Sequence, residues 1–272
     1  MEFEIRPRTK LSIGLRELWT YRELFYIFTL RDIKVKYKQT ILGFLWAVLQ
    51  PMLLALTFSY FLGKAIASYT NLSMSYELFA FSGLVLWGIF STGLNNAGNS
   101  MVSNANIIKK IYFPRLIIPV SAVCVGLFDF IMAFLVFLMY CFMNQVPFFA
   151  RSLVLIPLSV FLACVATLGS GALLAALNVK YRDFRYIIPF LVQFVLFLSP
   201  VIYPLRISPN PVLQALISLN PMTAPLELFR ASFSAQELYT GPIYISIASS
   251  IALFITGILY FRKTEDYFAD LA

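Results

Sequence analysis

RDIKVKYKQTILGFLWAVLQP, residues 31–51, changes character in its middle. Its first eight residues carry five charged side chains, at Arg31, Asp32, Lys34, Lys36 and Lys38, and no further charge follows until Lys64. The run 39–63 holds twelve Leu, Ile, Phe or Val residues, whose insertion into a bilayer gains about 4–7 kcal/mol. Because a hydrocarbon core of about 30 Å needs about 20 apolar residues in a helix, the stretch joins a basic anchor to a first membrane span.

The composition of the whole chain agrees with a membrane protein. Of the 272 residues, 60% are hydrophobic and only 12% are charged, whereas soluble domains carry about 25% charged residues. The net charge of +8 would also suit a nucleic-acid partner. However, 17 of the 21 Lys and Arg residues lie in four short segments beside apolar runs. That distribution indicates membrane orientation, so we expect membrane lipid and no nucleic acid as a partner.

Six apolar runs have the length and composition of spans, at 39–63, 78–100, 116–142, 152–177, 187–205 and 243–261. The segments before 39, at 101–115, at 178–186 and after 261 carry 9, 3, 3 and 2 basic residues, against four in the opposite segments. The positive-inside rule then places both termini in the cytoplasm. We predict an all-α, multi-pass integral membrane protein, with a cytoplasmic amphipathic segment at 1–38 and a six-span domain at 39–272.

The uncharged stretch 207–226 is not read as a seventh span. Six of the fourteen prolines fall within 200–225, and proline breaks helix interiors. We expect 206–235 to form short helices that re-enter the outer leaflet, where irregular backbone must pack on protein or line a water-filled path.

Several classes of chemistry are excluded by what the sequence lacks. It contains no His, which rules out the usual forms of Ser-His-Asp triads and HExxH zinc sites. It contains no GxxxxGK[ST] loop, so we expect no nucleotide hydrolysis by this chain. Cys124, Cys141 and Cys164 each lie within an apolar run and are interpreted as packing residues. We therefore expect no metal, cofactor or catalytic group in this chain.

Three groups of residues remain open to more than one interpretation. Loop 104–119 is either a basic stop-transfer loop or a short helix that docks an apolar face, with Ile107, Ile108 and Ile111, on a cytoplasmic partner. Asp129 is the one carboxylate well inside a predicted span, and we favour a structural hydrogen bond there over a proton relay. Phe190, Phe194 and Phe197 form a helical stripe beside Gln193, which suits either lipid or the wall of a wide path.

Together these features resemble the six-span permease subunit of ABC-2-type polysaccharide exporters, which move O antigens, capsules and teichoic acids. The resemblance covers nearly the whole chain and rests on six motifs: RDIKVKYKQTILGFLWAVLQP at 31–51, NANIIKKIYFPR at 104–115, VKYRDFRYIIP at 179–189, SPVIYP at 199–204, LNPMTAPLELFR at 219–230 and FRKTEDYFADLA at 261–272.

The resemblance implies more than composition does. It implies a homodimer in the bacterial inner membrane, bound to two cytoplasmic ATPase subunits that hold ATP and Mg, and a lipid-linked polysaccharide as substrate. It implies that the ATPase-coupling surface comprises Ile107, Ile108, Lys109, Lys110, Tyr112, Phe113 and Arg115. It also places Arg31, Lys34, Lys36 and Lys38 at the inner channel mouth, near the lipid head group. Our hypothesis for the channel lining is Trp46, Phe190, Gln193, Phe194 and Phe197.

The alternative substrates are capsule, teichoic acid and small lipophilic molecules. Two other classes of protein are disfavoured. A membrane-embedded transferase would need clustered acids at one membrane face, and the outer segments contain only Glu77, Glu227 and Glu237. An ion-coupled transporter usually needs more than a single buried carboxylate.

Overall fold

The computed structural model describes residues 15–38, 40, 42–69, 74–207, 210–234, 238–265 and 268. Within these residues the regular structure is helical and includes no strand, which confirms the all-α prediction. The described helices are α1 Leu15–Thr20, α2 Arg22–Tyr37, α3 Leu45–Tyr69, α4 Tyr76–Ser103, α5 Ala105–Ile108, α6 Ile117–Met143, α7 Ser152–Lys180, α8 Phe184–Leu198, α9 Pro211–Ser218, α10 Thr223–Ala231 and α11 Thr240–Thr264.

Five of the described helices, α3, α4, α6, α7 and α11, are long and apolar enough to cross a membrane. The fifth predicted span, at 187–205, is instead the 15-residue helix α8. At 1.5 Å per residue α8 is about 22 Å long, which is shorter than a hydrocarbon core. The helix ends before Pro200, since a proline disfavours helical backbone in the preceding residue. A six-span count therefore stays a prediction.

The first span begins later than its apolar run. Gly43 has a φ of +50° and lies in a turn, a conformation that glycine adopts without the penalty a side chain would bring. The turn separates α2 from α3, which starts at Leu45 rather than at residue 39. Residues 39 and 41 lie outside the described part of the chain.

Helix α4 is the centre of the fold. It is buried along most of its length and packs against α3, α6, α7, α8 and α10. Its first turn is capped by Ser75, whose hydroxyl accepts a hydrogen bond from the backbone N–H of Leu78 at 3.4 Å. Helix α11 packs on the far side of α7. Helix α2 lies along α6 rather than apart from the bundle.

The segment between α8 and α11 contains short helices, as the prolines predict: a 3-10 turn at Leu205–Ile207, then α9 and α10. Its irregular backbone is satisfied by serines of α11. Ser246, Ser249 and Ser250 donate hydrogen bonds to the carbonyls of Asn220, Leu219 and Pro221, at 2.8, 2.5 and 2.9 Å. Irregular backbone at membrane depth requires such partners. The position of this segment relative to the membrane stays a prediction, and Ser208, Pro209 and Glu237 lie outside the described residues.

Arg230 holds this segment to the bundle. It is 4% exposed, and its guanidinium donates hydrogen bonds to the carbonyls of Pro200 and Val201. The guanidinium carbon lies 3.6 Å from the ring centroid of Phe79 in α4. Sequence analysis counted Arg230 only as a basic residue of an outer segment, so it did not predict this buried role.

Candidate functional site

A cavity of about 460 Å³ lies among α2, α3, α4, α6 and α8. Its wall combines two indole rings with polar side chains. These are Lys36, Tyr37, Trp46, Gln50, Trp87, Ser91, Thr92, Asn95, Asn96, Asp129 and Gln193. Ligand sites usually combine apolar or aromatic surface with a few polar groups. This wall offers both.

The asparagines of α4 have two different environments. Asn95 and Asn96 line the cavity, and Asn95 is held by a hydrogen bond from its side-chain amide to the carbonyl of Ser91 at 2.9 Å. Asn99 lies one turn further on and joins α4 to α7, because its side-chain oxygen accepts from Asn178 at 3.1 Å. The asparagines of α4 therefore act both as cavity wall and as interhelical hydrogen-bonding groups.

Asp129 lies in the cavity wall and is 6% exposed. Lys36 donates to one of its carboxylate oxygens and Tyr37 to the other. Burial and this hydrogen bond raise the pKa of Tyr37, so the phenol remains protonated and acts as a donor. The structural partner expected for Asp129 is thus present. Sequence analysis did not identify it, because the partners lie 93 and 92 residues away.

The predicted channel lining divides into two groups. Trp46 and Gln193 meet in the cavity. Phe190, Phe194 and Phe197 lie on the outward face of α8 and are 64%, 50% and 59% exposed. The rings of Phe190 and Phe194 stack with centroids 5.9 Å apart. These three rings do not line the cavity, and their face of α8 is exposed.

The predicted coupling residues follow the C-terminal end of α4. Helix α5 ends at Ile108, so the helical face expected to include Ile111 is not continuous. Ile108 and Phe113 are buried, whereas Lys109, Lys110, Ile111 and Tyr112 are exposed. A shallow cavity of about 190 Å³ lies among these residues and Arg115. The loop therefore exposes basic, aliphatic and aromatic side chains. Its buried residues, Ile108 and Phe113, form a buried base that anchors it to the rest of the protein.

Helix α2 and the end of α11 hold that base in place. The rings of Phe28 and Phe113 lie 5.7 Å apart, and Arg31 donates to the side chain of Asn104 at 2.7 Å. The backbone N–H of Arg115 donates to the Glu265 carboxylate at 3.0 Å. We refer to α5 and residues 109–115 as the coupling surface, after the role that the sequence predicts for them.

The basic residues predicted at the inner mouth have different surroundings. Arg31 is bound to Asp32 and Asn104, and Lys36 is bound to Asp129. Lys34 and Lys38 are exposed. The structure therefore assigns internal partners to two of the four cations and leaves Lys34 and Lys38 facing outward.

Residues 23–234 match the family described as ABC-2 type transporter. This chain belongs to that family. Permeases of the ABC-2 family work with ATPase partners. With its apolar helices, the chain is a multi-pass membrane protein.

The chain is similar over nearly its full length to permeases that have been named by function. It is 29% identical to the O-antigen export system permease protein RfbA of Myxococcus xanthus, over 94% of this chain and 98% of that one. It is 28% identical to the protein of the same name from Klebsiella pneumoniae, over 92% and 95%. Its identity to the polysialic acid transport protein KpsM of Escherichia coli is 21%, over 87% and 92%.

Proposed function

We propose that this ABC-2 permease is the membrane subunit of an ATP-driven exporter that moves a lipid-linked, O-antigen-like polysaccharide across the bacterial inner membrane. The observation that carries the proposal is similarity to an O-antigen export permease over 94% of the chain. A capsular polysaccharide is the second candidate, because the similarity to the polysialic acid transporter covers 87% of the chain.

The cavity wall has the chemistry that a passing glycan needs. The indole face of Trp46, which is 53% exposed, can stack on the apolar face of a sugar ring. The amides of Asn95, Asn96 and Gln193 can exchange hydrogen bonds with hydroxyl groups. Neutral amides bind hydroxyl groups without the strength of charge-assisted hydrogen bonds. Such a wall favours passage over tight retention.

The proposed assembly is a homodimer with two cytoplasmic ATPase subunits that bind ATP and Mg. Both termini would lie in the cytoplasm, since the basic segments predict that orientation. The outward faces of α3 and α8, where Tyr60 and Phe194 are exposed, would then meet lipid or the second copy. The permease supplies no catalytic group in this scheme, and its work is to change the shape of the path when the ATPases close.

Reconstitution tests the substrate class directly. The permease and its ATPase would be placed in vesicles with the ATP-binding face outward, and a lipid-linked O-antigen-like glycan would be supplied in the outer leaflet. We expect ATP-dependent accumulation of glycan inside the vesicles. ATP-dependent uptake of small lipophiles without glycan would overturn the proposal. Transport that persists without the ATPase would instead indicate an ion-coupled transporter.

Charge reversal at Lys109 and Lys110 tests the coupling surface. Both side chains are exposed, so Lys109→Glu with Lys110→Glu leaves the buried base unchanged. We expect the free energy of binding between the permease and the ATPase to weaken by about 2 kcal/mol or more, because like charges that face each other across an interface cost several kcal/mol. Co-purification of the ATPase and glycan export measure the effect.

The matched control is Arg182→Glu with Arg185→Glu, which makes the same charge change in the neighbouring inner loop, where both arginines are exposed. Export at the unmodified level in the Lys109 and Lys110 variant would contradict the assignment. An equal loss in both double variants would assign the effect to membrane orientation rather than to ATPase contact.

A further inference from the structure

Helix α2 joins the coupling surface to the cavity, and this connection assigns a role to Asp129 that rests on the proposed function. Near its middle, α2 places Phe28 on Phe113 and Arg31 on Asn104 at the base of the coupling loop. At its end, Lys36 and Tyr37 bind Asp129 in the cavity wall. The two sets of contacts lie five to nine residues apart, about 8–14 Å along a helix.

Asp129 is far from the inner end of its own helix. It lies twelve residues after Ile117, where α6 starts, which is about 18 Å along the axis. An ionisable group at such depth needs a partner and marks a functional position by default. Its partners come from α2, which belongs to the segment 1–38 that the sequence predicted to be cytoplasmic and amphipathic. The end of α2 is therefore fixed to the wall of the cavity at depth.

The contacts near the middle of α2 and at its C-terminal end differ in exposure. Phe28 and Phe113 are 4% and 3% exposed and belong to one apolar cluster with Ile108. The Lys36 side chain is 37% exposed, although Asp129 is buried. Water or a sugar hydroxyl can therefore reach the contact between Lys36 and Asp129 from the cavity. The contact between Phe28 and Phe113 is closed to solvent.

We propose that Asp129 is a positioning residue that latches the end of α2 to the cavity, so that α2 transmits displacement of the coupling loop to the cavity wall. Closure of the ATPases moves the loop, and Phe28 and Arg31 carry α2 with it. Lys36 and Tyr37 then either displace α6 through their hydrogen bonds to Asp129 or dissociate from Asp129. Either movement also shifts Trp46, which lies near the start of α3, just after the turn at Gly43 that separates α3 from α2. Without the latch, α2 moves alone and the cavity keeps its shape.

The experiment measures cavity shape and needs no glycan. Cys124, Cys141 and Cys164 are replaced by Ala, and Asn96→Cys is introduced as a reporter in the cavity wall. The full complex with its ATPase is treated with a water-soluble maleimide, with and without a non-hydrolysable ATP analogue. We expect the analogue to change the labelling rate by about fivefold or more, the lower range of allosteric coupling. In Asp129→Asn that change is lost.

Two further variants separate coupling from folding. Tyr37→Phe removes one hydroxyl while leaving the ring that contacts Phe128 at 5.9 Å, and we expect it to reduce the change in labelling. Exchange of the pair, Lys36→Asp with Asp129→Lys, restores the change if the ion pair is the latch. Glu23→Gln is the matched control, because Glu23 is an exposed acid at the start of α2, and it keeps the full change.

The outcomes are distinct. An unmodified response in Asp129→Asn, or the absence of any response in the parent complex, overturns the latch. A response in the parent that is lost in Asp129→Asn and kept in Glu23→Gln supports it. Because the readout contains no polysaccharide, the latch survives if reconstitution finds a different substrate, and it fails independently if cavity and ATPase are not linked through α2.

Discussion

Replacing Arg230 with Met is expected to lower the stability of the permease by about 3–5 kcal/mol, the usual cost of removing one partner from a buried charged network. The guanidinium binds the carbonyls of Pro200 and Val201 where α8 ends. It also lies 3.8 Å from the Glu227 carboxylate, one turn away on α10. Met fills much of the volume but satisfies none of these groups.

The electrostatics at this position strengthen the expectation. Burial lowers the pKa of Arg230, but only to about 10, so the group is charged at neutral pH. Burial likewise raises the pKa of Glu227, and Arg230 and, to a smaller extent, Arg206 oppose that rise. Loss of Arg230 leaves the half-buried carboxylate of Glu227 without its closest cation, so Glu227 takes up a proton more readily. We therefore expect the Arg230→Met variant to be more stable near pH 5 than at pH 8, relative to the unmodified chain.

Thermal unfolding of the purified protein in detergent, at both pH values, measures this effect. Arg206→Met is the matched control, because Arg206 is exposed and lies over Tyr239, and we expect it to change stability by about 0.5 kcal/mol or less. Arg230→Lys should fall between the two, since an ammonium group cannot reproduce the planar fork of donors. Equal unfolding temperatures for Arg230→Met and Arg206→Met would contradict the role assigned to Arg230.

Sequence analysis predicted the long helices well because the signal for them is local. The predicted runs 116–142 and 152–177 correspond to Ile117–Met143 and Ser152–Lys180. Insertion of an apolar helix depends on the sum of its own side chains, so neighbouring elements are not needed to recognise it. The prolines within 200–225 also predicted that this stretch forms short helices rather than one continuous helix, because proline restricts its own backbone and that of the residue before it.

The features that sequence analysis missed depend on contacts between distant residues. The latch at Asp129 joins positions more than 90 residues apart, and Arg230 reaches Phe79 across 151 residues. The positive-inside rule counts basic residues whether they are exposed or buried. It therefore does not indicate which of them, like Arg230, also make buried structural contacts. A sequence-level signal existed for Asp129, namely the need of a carboxylate at depth for a partner, but it did not specify which cation would meet it.

Replacement of Gly257 with Leu is expected to have the other large effect, because it separates α7 from α11. A Cβ atom at Gly257 would overlap the carbonyl oxygen of Gly169. The approach is reciprocal, since a Cβ atom at Gly169 would lie 2.5 Å from the Cα atom of Phe254. In membranes such small residues let helix backbones approach closely. Backbone atoms cannot rotate away, so the helices must move apart.

The expected cost is about 1–3 kcal/mol for Gly257→Ala, the range for overpacking a well-packed contact, and more for Leu. Denaturation in mixed micelles measures it, and cross-linking of cysteines placed in α7 and α11 reports the separation. Gly241→Leu is the matched control on the same helix, because no atom lies within 4 Å of a Cβ built there. Helix α11 also supplies Ser246 and Ser250 to the irregular backbone at 220 and 221. Its displacement should therefore expose residues 219–221 to protease, and unchanged proteolysis of that segment in Gly257→Leu would contradict the predicted separation of the helices.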